Sequence, residues 1–219
     1  MNRKTTGHDL ERLGLAKPKA AEEPKMAMNS EQLFRKVRTY AELSQASVTS
    51  WQRLLRPEFY KKGEYFVELG QVPAKVGFVL EGLFSQDYVS ESGGTTIKYF
   101  FPEGRFAASV GAMLSGKPSE FSVVAREDSK VLSYDFAEFK KLTEQHRDIA
   151  AFYIRYMERH WIVEKEPLEI SFRYDNAFKR YQNFLGEFPG LVSRLKKHQV
   201  ASYLGITPTQ LSRLLRSEK

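Results

Sequence analysis

The middle of the chain alternates short apolar runs with turn residues. Between Tyr60 and Tyr134, runs such as YFVEL, VGFVL, TIKYFF and FSVVA are separated by glycine-containing turns. The spacing of about ten residues is typical of an antiparallel barrel or roll, so this region is predicted to be an all-β domain of many short strands. Residues 33–55 have a helical pattern instead, and Trp51, Leu54 and Leu55 are predicted to pack on the roll.

After the roll, the pattern changes to a helical one. Asp135, with Glu138 three residues later, forms a capping-box sequence for a short helix. A longer helix is predicted from about Asp148 to Glu166, ending just before Pro167 because the residue that precedes a proline disfavours helical dihedrals.

Apolar and aromatic residues recur every three to four positions along this longer helix. Such a stripe suits packing against a second copy of the same helix, which predicts a homodimer. The predicted dimer seam consists of Ile149, Phe152, Tyr153, Tyr156, His160 and Val163. The alternative is that the stripe packs only on the roll of its own chain, since the seam is short for a coiled coil.

The C-terminal sequence HQVASYLGITPTQLSRLLR contains two short helical patterns separated by Gly205. The residues that share an apolar face are Val200, Ala201 and Leu204 before the glycine, and Leu211, Leu214 and Leu215 after it. Thr207 is a favourable N-cap and Pro208 suits the first helical position. Two short helices joined by a glycine turn predict a helix-turn-helix.

Burial of that apolar face leaves a polar set on the outside of the second helix, within reach of base edges and phosphates. The predicted DNA-binding residues are Thr207, Thr209, Gln210, Ser212, Arg213 and Arg216, together with Lys196 and Lys197 before the first helix. An ordinary helical hairpin is the alternative.

The charge distribution supports a polyanion as the partner of this end. Of the formal net charge of +7, residues 30–192 contribute nothing, with 22 basic and 22 acidic residues, whereas residues 193–219 have 6 basic residues against 1 acidic. A neutral body with one basic end is typical of a protein that binds nucleic acid with that end. A solvated basic tail is the alternative.

Several kinds of chemistry are excluded or unsupported. The absence of cysteine excludes disulfides, thiolate metal sites and a cysteine nucleophile. No apolar run approaches the roughly 18 residues of a membrane span, and the polar start does not resemble a signal peptide, so we expect a cytoplasmic protein. The four histidines lack metal-ligand spacing, so no metal site is predicted, with a haem ligand at His160 as the alternative.

Two near-motifs do not support an enzyme. The sequence GAMLSGKPSE has the glycine and lysine spacing of a P-loop, but Pro118 replaces the magnesium ligand and a strand, not a helix, is predicted to follow. The sequence HRD begins at His146, but Tyr153 replaces the asparagine of a kinase catalytic loop, so HRD is predicted to start a helix. No Gly-x-Ser-x-Gly turn is present.

The order of parts, a β-roll followed by a long helix and a helix-turn-helix, resembles the Crp/Fnr family of bacterial transcription regulators over residues 32–219. Three segments carry the resemblance: KKGEYFVELGQVPAKVGFVLEG in the roll, NAFKRYQNFLGEFPGL before the helix-turn-helix, and VASYLGITPTQLSRLLR within it. The resemblance implies an α+β fold with three parts: an antiparallel cyclic-nucleotide-binding-like β-roll (30–145), a dimerisation helix (146–168) and a winged helix-turn-helix (169–219). The residues before these parts (1–29) are predicted from their own sequence to form a disordered tail.

By the same resemblance, EGRFAASVGAMLSGKPSEFSVVA occupies the position of the family's phosphate-binding cassette. Cyclic-AMP binders carry a glutamate for the ribose and an arginine for the phosphate there, whereas this chain has Ser109 and Ser119-Glu120. Without the arginine, the phosphate would lack its charge partner, so we expect no cofactor and an effector other than cyclic AMP. The predicted effector-pocket residues are Arg105, Ser109, Ser119 and Glu120.

The resemblance implies a homodimer that binds double-stranded DNA with two-fold related half-sites, contacts RNA polymerase and does not require a membrane. An effector bound in the roll would shift the two long helices relative to each other and so change the distance between the two DNA-binding ends. Three alternatives stay open. They are a cyclic-nucleotide-responsive regulator, a ligand-free regulator controlled by its abundance, and an adaptor whose basic end binds a protein or another polyanion.

Overall fold

Eight strands form two antiparallel sheets in the computed structural model, which describes residues 23–90 and 93–216. The strands are β1 (Arg56–Tyr60), β2 (Tyr65–Val67), β3 (Lys75–Glu81), β4 (Phe84–Val89), β5 (Thr95–Phe101), β6 (Phe106–Ala107), β7 (Phe121–Ala125) and β8 (Ser129–Asp135). The first sheet has the order β1-β8-β3-β6 and the second the order β2-β7-β4-β5. Arg56 pairs with Ser133 in the first sheet, and Phe84 pairs with Phe101 in the second.

Helices precede, interrupt and follow the sheets. They are α1 (Glu23–Arg38), α2 (Gln45–Gln52), α3 (Val110–Ser115), α4 (Phe136–Gln145), α5 (Arg147–Glu158), α6 (Lys165–Tyr174), α7 (Ala177–Glu187), α8 (Lys197–Leu204) and α9 (Pro208–Arg216). A π turn (Arg159–Val163) joins α5 to α6, and a 3-10 turn (Leu191–Ser193) lies between α7 and α8. The structure therefore contains the predicted roll, with helices before it and after it in the sequence.

The two sheets enclose one apolar core, and β3 has a second apolar face that points outward. Alternate residues of β3 are buried on opposite sides because side chains alternate along a strand. Val79 packs between the sheets, whereas Phe78 packs against α1, α2, α4 and α5. Trp51 and Leu55 are fully buried in that outer core, which confirms their predicted packing on the roll.

A third core joins the second sheet to the C-terminal helices. Leu83 and Phe100 from the sheet pack with Phe184 of α7 and Tyr203 of α8. The ring centroids of Phe100 and Tyr203 are 5.5 Å apart. The C-terminal helices are thus attached to the roll by a buried aromatic contact as well as by the chain connection.

The long helix differs from its prediction in two ways. The α-helical ladder is interrupted at the π turn, where the backbone N–H of Glu164 donates to the carbonyl of Arg159 at 2.9 Å. The helix then continues through Pro167 to Tyr174, so the predicted end before the proline is wrong. Pro167 lies in the first turn of α6, where a backbone N–H has no helical partner to lose.

Two predicted boundary features also need correction. Residues 23–29, predicted to belong to a disordered tail, are part of α1, whose methionine, alanine and glutamate content favours helix. Residues 1–22 of that predicted tail lie outside the described residues. Between α6 and residue 216 the structure describes no strand, so the expected wing is not found there, and the connection from α7 to α8 contains the 3-10 turn instead.

Candidate functional site

The predicted pair of C-terminal helices is present with a glycine turn and a capped second helix. Gly205 ends α8 with a left-handed φ of 67°, a conformation that glycine adopts without a steric penalty. The backbone N–H of Gln210 donates to the Thr207 hydroxyl at 3.1 Å, and the N–H of Thr207 donates to the Gln210 side-chain oxygen at 2.8 Å. This reciprocal capping box fixes the start of α9.

The exposed face of α9 carries part of the predicted DNA-binding set. Thr209, Arg213 and Arg216 are exposed, and Ser212 is half-buried. Lys196 and Lys197 are exposed at the start of α8, on the same basic end of the chain. The side chains of Thr207 and Gln210 are exposed but engaged in the capping box, so their first role is to hold the helix rather than to contact a ligand.

Arg180 on α7 links the parts of this helical end. Its Nε donates to the carbonyl of Leu204 at 3.0 Å and its Nη1 donates to the carbonyl of Asp175 at 2.8 Å. The last carbonyls of a helix lack intrahelical partners, so the arginine satisfies the C-terminus of α8. The orientation of α8 is therefore fixed relative to the start of α7.

Polar contacts dock the same end onto the roll. The guanidinium of Arg194 donates to Glu103 at 2.9 Å, to Glu127 at 2.7 Å and to the carbonyl of Gly82 at 3.2 Å. The hydroxyl of Ser202 bonds to the backbone edge of β5. A groove remains between the β4–β5 edge and the start of α9, so part of the α9 surface faces the roll.

A cavity of about 450 Å³ lies between the roll and the long helix. Its walls are mainly apolar and aromatic, and they come from strands β3 to β6 and β8, from helices α3 to α7 and from the π turn. Representative wall residues are Phe106, Ala108, Met113, Phe139, Phe152 and Tyr156. The volume lies within the range of small-molecule sites in proteins.

One wall of the cavity carries a polar cluster around His160. The Nδ1 atom of His160 lies 2.8 Å from Arg105 Nη1 and 2.6 Å from a Glu164 carboxylate oxygen, and its Nε2 atom lies 2.7 Å from the Tyr40 hydroxyl. Burial lowers the pKa of His160, assisted by Arg105, although Glu164 acts in the opposite direction. Both ring nitrogens have partners, which disfavours the alternative of a haem ligand at this position.

The predicted effector-pocket residues are only partly brought together. Arg105 lines the cavity. Ser109 and Ser119 are buried beside each other, with the Ser119 hydroxyl donating to Ser109 at 2.7 Å, but neither lines the cavity. Glu120 is exposed and also lies outside the lining. The two serines satisfy each other, so the cavity chemistry is set by other residues.

Sequence reasoning missed two of those residues, Gln86 on β4 and Tyr134 on β8. Both line the cavity and each is only 5% exposed. A single glutamine inside a strand gives no pattern that points to a ligand, since half of the positions of a strand normally face solvent. The buried face of β4 becomes known only once the sheet order is known.

Most of the predicted dimer seam is engaged within its own chain. Ile149 and Phe152 are buried in the core that α5 forms with α2, α4 and the first sheet, and Tyr153 and Tyr156 pack against the same core. His160 is engaged with Tyr40 and Arg105. Of the six seam residues, Val163 alone is exposed. Within one chain the aromatic stripe thus attaches the helix to its own roll, which is the alternative interpretation of the pattern.

A different apolar face of the long helix is open. Ile154, Ile162, Val163 and Ile170 are each more than half exposed. Ile162 lies eight positions after Ile154. In a regular helix, in which each residue adds about 100° of rotation, the two side chains would point about 80° apart. The additional residue of the π turn reduces that offset, so the two isoleucines lie near one line on the helix.

Neither a metal cluster nor a membrane span is found in the described part of the chain. No three His, Asp or Glu side chains come together there as a metal ion requires. None of the described helices has the length and apolar character needed to cross a membrane.

Comparison with known proteins gives one family match. Residues 57–146, which run from within β1 to the end of α4, match the family model described as the cyclic nucleotide-binding domain. No curated protein sequence matches the chain.

Solved structures share the architecture at low sequence identity. FixK2 from Bradyrhizobium japonicum is 18% identical, with a TM-score of 0.65 over 74% of this chain and 83% of that one. The c-di-GMP-responsive global regulator CLP of Xanthomonas campestris is 12% identical, with a TM-score of 0.62 over 80% and 91%. A mutant of CooA from Carboxydothermus hydrogenoformans is 17% identical, with a TM-score of 0.60 over 83% and 82%. At these identities the similarity establishes the fold.

Proposed function

We propose that the chain is a sequence-specific DNA-binding transcription regulator of the Crp/Fnr type, in which α8 and α9 bind duplex DNA and the β-roll receives a signal. The observation that carries this proposal is the exposed face of α9. Thr209, Arg213 and Arg216 project from a helix that is capped at Thr207 and joined to α8 by Gly205. Arginine side chains on such a helix fit guanine edges and phosphates in the major groove.

Electrostatics supports the same surface. The largest excess of basic residues lies in residues 193–219, which include Lys196 and Lys197 next to α8. These two lysines have no acidic partner within the described residues, so they are available to phosphates. Phosphate contacts fix register without reading sequence, whereas Arg213 and Thr209 would provide the sequence-dependent contacts.

A homodimer is part of the proposal, with a revised interface. The exposed face of Ile154, Ile162, Val163 and Ile170 is suited to packing against the same face of a second copy. Two copies related by a two-fold axis would present two α9 helices to two-fold related half-sites. In this proposal the regulator is cytoplasmic, needs no membrane, and has RNA polymerase as a further partner.

The fold neighbours support regulation by a signal, since CLP is described as a c-di-GMP-responsive global regulator. By the sequence resemblance, Ser109 and Ser119 correspond to the family's cyclic-AMP contacts, and in this chain the two serines are hydrogen-bonded to each other. We therefore propose an effector other than cyclic AMP. An adaptor whose basic end binds another polyanion is the competing function, and it predicts binding without base preference.

Selection of bound fragments from sheared genomic DNA, followed by mobility-shift titration with and without heparin, tests the proposal. We expect enrichment of a two-fold related sequence that survives heparin competition. The Arg213→Ala/Arg216→Ala variant should lose this binding, whereas Lys62→Ala/Arg147→Ala removes the same charge from the roll and α5 and should retain it. Binding that heparin abolishes on every sequence alike would identify the polyanion adaptor instead.

A further inference from the structure

Two polar side chains of the wall of the cavity between the roll and the long helix, Gln86 and Tyr134, make no hydrogen bond to another described residue. Each residue is only 5% exposed. Their polar atoms are not among the fully buried side-chain atoms without a partner, of which the described chain has one, Trp51 Nε1, so these atoms are accessible from the cavity. Polar groups of this kind are usually satisfied by water or by a ligand.

The remaining walls favour a ligand over a cluster of water molecules. Rings of Phe106, Phe139, Phe152 and Tyr156 surround a space of about 450 Å³. Apolar walls do not retain ordered water, which needs two to four polar partners per molecule. A planar ring system would instead gain stacking and edge contacts with these aromatic residues.

Two cations of the cavity wall are paired with carboxylates, whereas a third, Lys98, has no such partner in the described part of the chain. The Arg105 guanidinium is paired with Glu164 at 3.3 Å, and Lys165 is paired with Glu169 at 3.6 Å. Lys98 is exposed and its ammonium lies 4.2 Å from the ring centroid of Phe121. A phosphate or carboxylate would therefore have to displace an existing pair to enter the deeper part of the cavity.

We propose that this cavity binds an uncharged, ring-bearing molecule whose polar atoms hydrogen-bond to Gln86 on β4 and Tyr134 on β8. Gln86 belongs to the second sheet and Tyr134 to the first, so such a molecule would bridge the two sheets. It would also contact Phe152 and Tyr156 of α5. This inference rests on the proposed function, because the bound molecule would be the effector of the regulator. Binding of the molecule to the cavity is nevertheless measured in the absence of DNA.

The probe for the test is 6-propionyl-2-(dimethylamino)naphthalene, an uncharged two-ring ketone whose emission reports both polarity and hydrogen bonding. Titration against the full chain should show saturable one-site binding in the micromolar range, with quenching of Trp161, which also lines the cavity. Ala108→Phe places a ring in the cavity and should abolish binding while circular dichroism stays unchanged. If that variant does not fold, Met113→Trp provides the same test from α3.

The polar contacts are tested by Gln86→Leu/Tyr134→Phe. Loss of two neutral hydrogen bonds should raise the Kd of the probe roughly 5- to 150-fold and shift the emission of the bound probe to shorter wavelength. The control variant Gln71→Leu/Tyr174→Phe makes the same chemical changes at exposed positions. It should leave the Kd and the emission wavelength of the bound probe unchanged.

Three results would overturn the inference. They are the absence of saturable binding, binding that survives both cavity-filling variants, and displacement of the probe by millimolar cyclic AMP. None of these results depends on whether the protein binds DNA, so failure of this inference and failure of the proposed function can be told apart.

Discussion

The hydroxyl of Ser202 on α8 accepts a hydrogen bond from the backbone N–H of Ile97 on β5 at 2.9 Å. The same hydroxyl donates to the carbonyl of Thr95 at 3.0 Å. β5 is the last strand of its sheet, and edge strands present unpaired backbone groups that attract other chains. One serine of the proposed DNA-binding end thus satisfies part of this edge and fastens the helix to the roll.

Ser202→Ala should leave the N–H of Ile97 and the carbonyl of Thr95, at the edge of β5, without their hydrogen bonds to α8. Loss of the two hydrogen bonds is expected to cost about 1 kcal/mol and to speed hydrogen exchange at the Ile97 amide by several-fold. Ser212→Ala is the control because this serine lies on α9 and has no hydrogen bond to the described part of the roll. Equal exchange at Ile97 in both variants would show that α8 does not remain docked in solution.

Arg213→Ala should reduce specificity and not only affinity. A base-contacting arginine contributes about 1–3 kcal/mol of discrimination at one base pair, whereas a phosphate-contacting lysine contributes equally on all sequences. We expect Arg213→Ala to relax the preference at one position of each half-site, and Lys197→Ala to weaken specific and random duplexes alike. Competition titrations with single-base variants of the selected site measure the difference. A uniform loss for Arg213→Ala would assign this residue to the phosphate backbone.

The revised interface predicts that Ile154→Asp/Ile162→Asp gives folded monomers. Both side chains are exposed within one chain, so the substitutions disturb the dimer without disturbing the protomer. Sedimentation velocity should show a halved mass and an unchanged circular dichroism spectrum. Phe59→Asp, on β1, is the control, and a dimer that survives the double substitution would place the interface elsewhere.

Tyr156→Asp distinguishes this face from the aromatic stripe. The Tyr156 ring lies between the long helix and the roll, with its centroid 5.1 Å from that of Phe106. A carboxylate at this position would be buried without a partner, so we expect loss of folding instead of clean dissociation. Circular dichroism measures folding, and sedimentation measures dissociation. A soluble, folded Tyr156→Asp monomer would show that the aromatic stripe forms the dimer seam.

Asp148 predicts an acid-sensitive contribution to stability. Burial alone would raise the pKa of Asp148, but hydrogen bonds from Ser47 and Ser44 outweigh it and lower the pKa to about 2. Because the folded-state pKa lies below the unfolded one, the contribution is present above about pH 4 and is lost as the pH falls towards about 2.

Asp148→Asn should therefore lower the melting temperature at neutral pH and have little effect near pH 2. The carboxylate is partly accessible to solvent, so the expected loss is modest, about 1 kcal/mol. Glu144→Gln, an exposed position on α4, is the control. A difference between wild type and Asp148→Asn that is constant across this pH range would contradict the prediction.

Short-range patterns were sufficient to predict much of the fold. The glycine-punctuated runs predicted the strands, Asp135 was identified as a helix cap, and Gly205 with Thr207 defined the boundaries of α8 and α9. Each of these signals involves neighbours in sequence. They are therefore visible without knowledge of the tertiary structure.

Long-range packing determined what could not be predicted. The stripe through Phe152 and Tyr156 shows that one helix face is buried, but periodicity does not identify the surface that buries it. Gln86 was missed for a related reason, since its burial depends on the pairing of β4 with β5 and β7. The π turn was also missed, because no residue type in RHWIV specifies the additional residue of that turn.

That π turn accommodates one residue more than a regular helix. The segments before and after it therefore keep nearly the relative orientation that they would have in a regular helix one residue shorter. Deletion of Ile162 would allow such a regular helix and leave the orientation of α6 and of the basic C-terminal end nearly unchanged. Deletion of a residue within the regular part of α5 would instead rotate everything after it by about 100°. The loss of a single codon would thus be tolerated in the turn, whereas the same loss in α5 would change the geometry of the whole assembly.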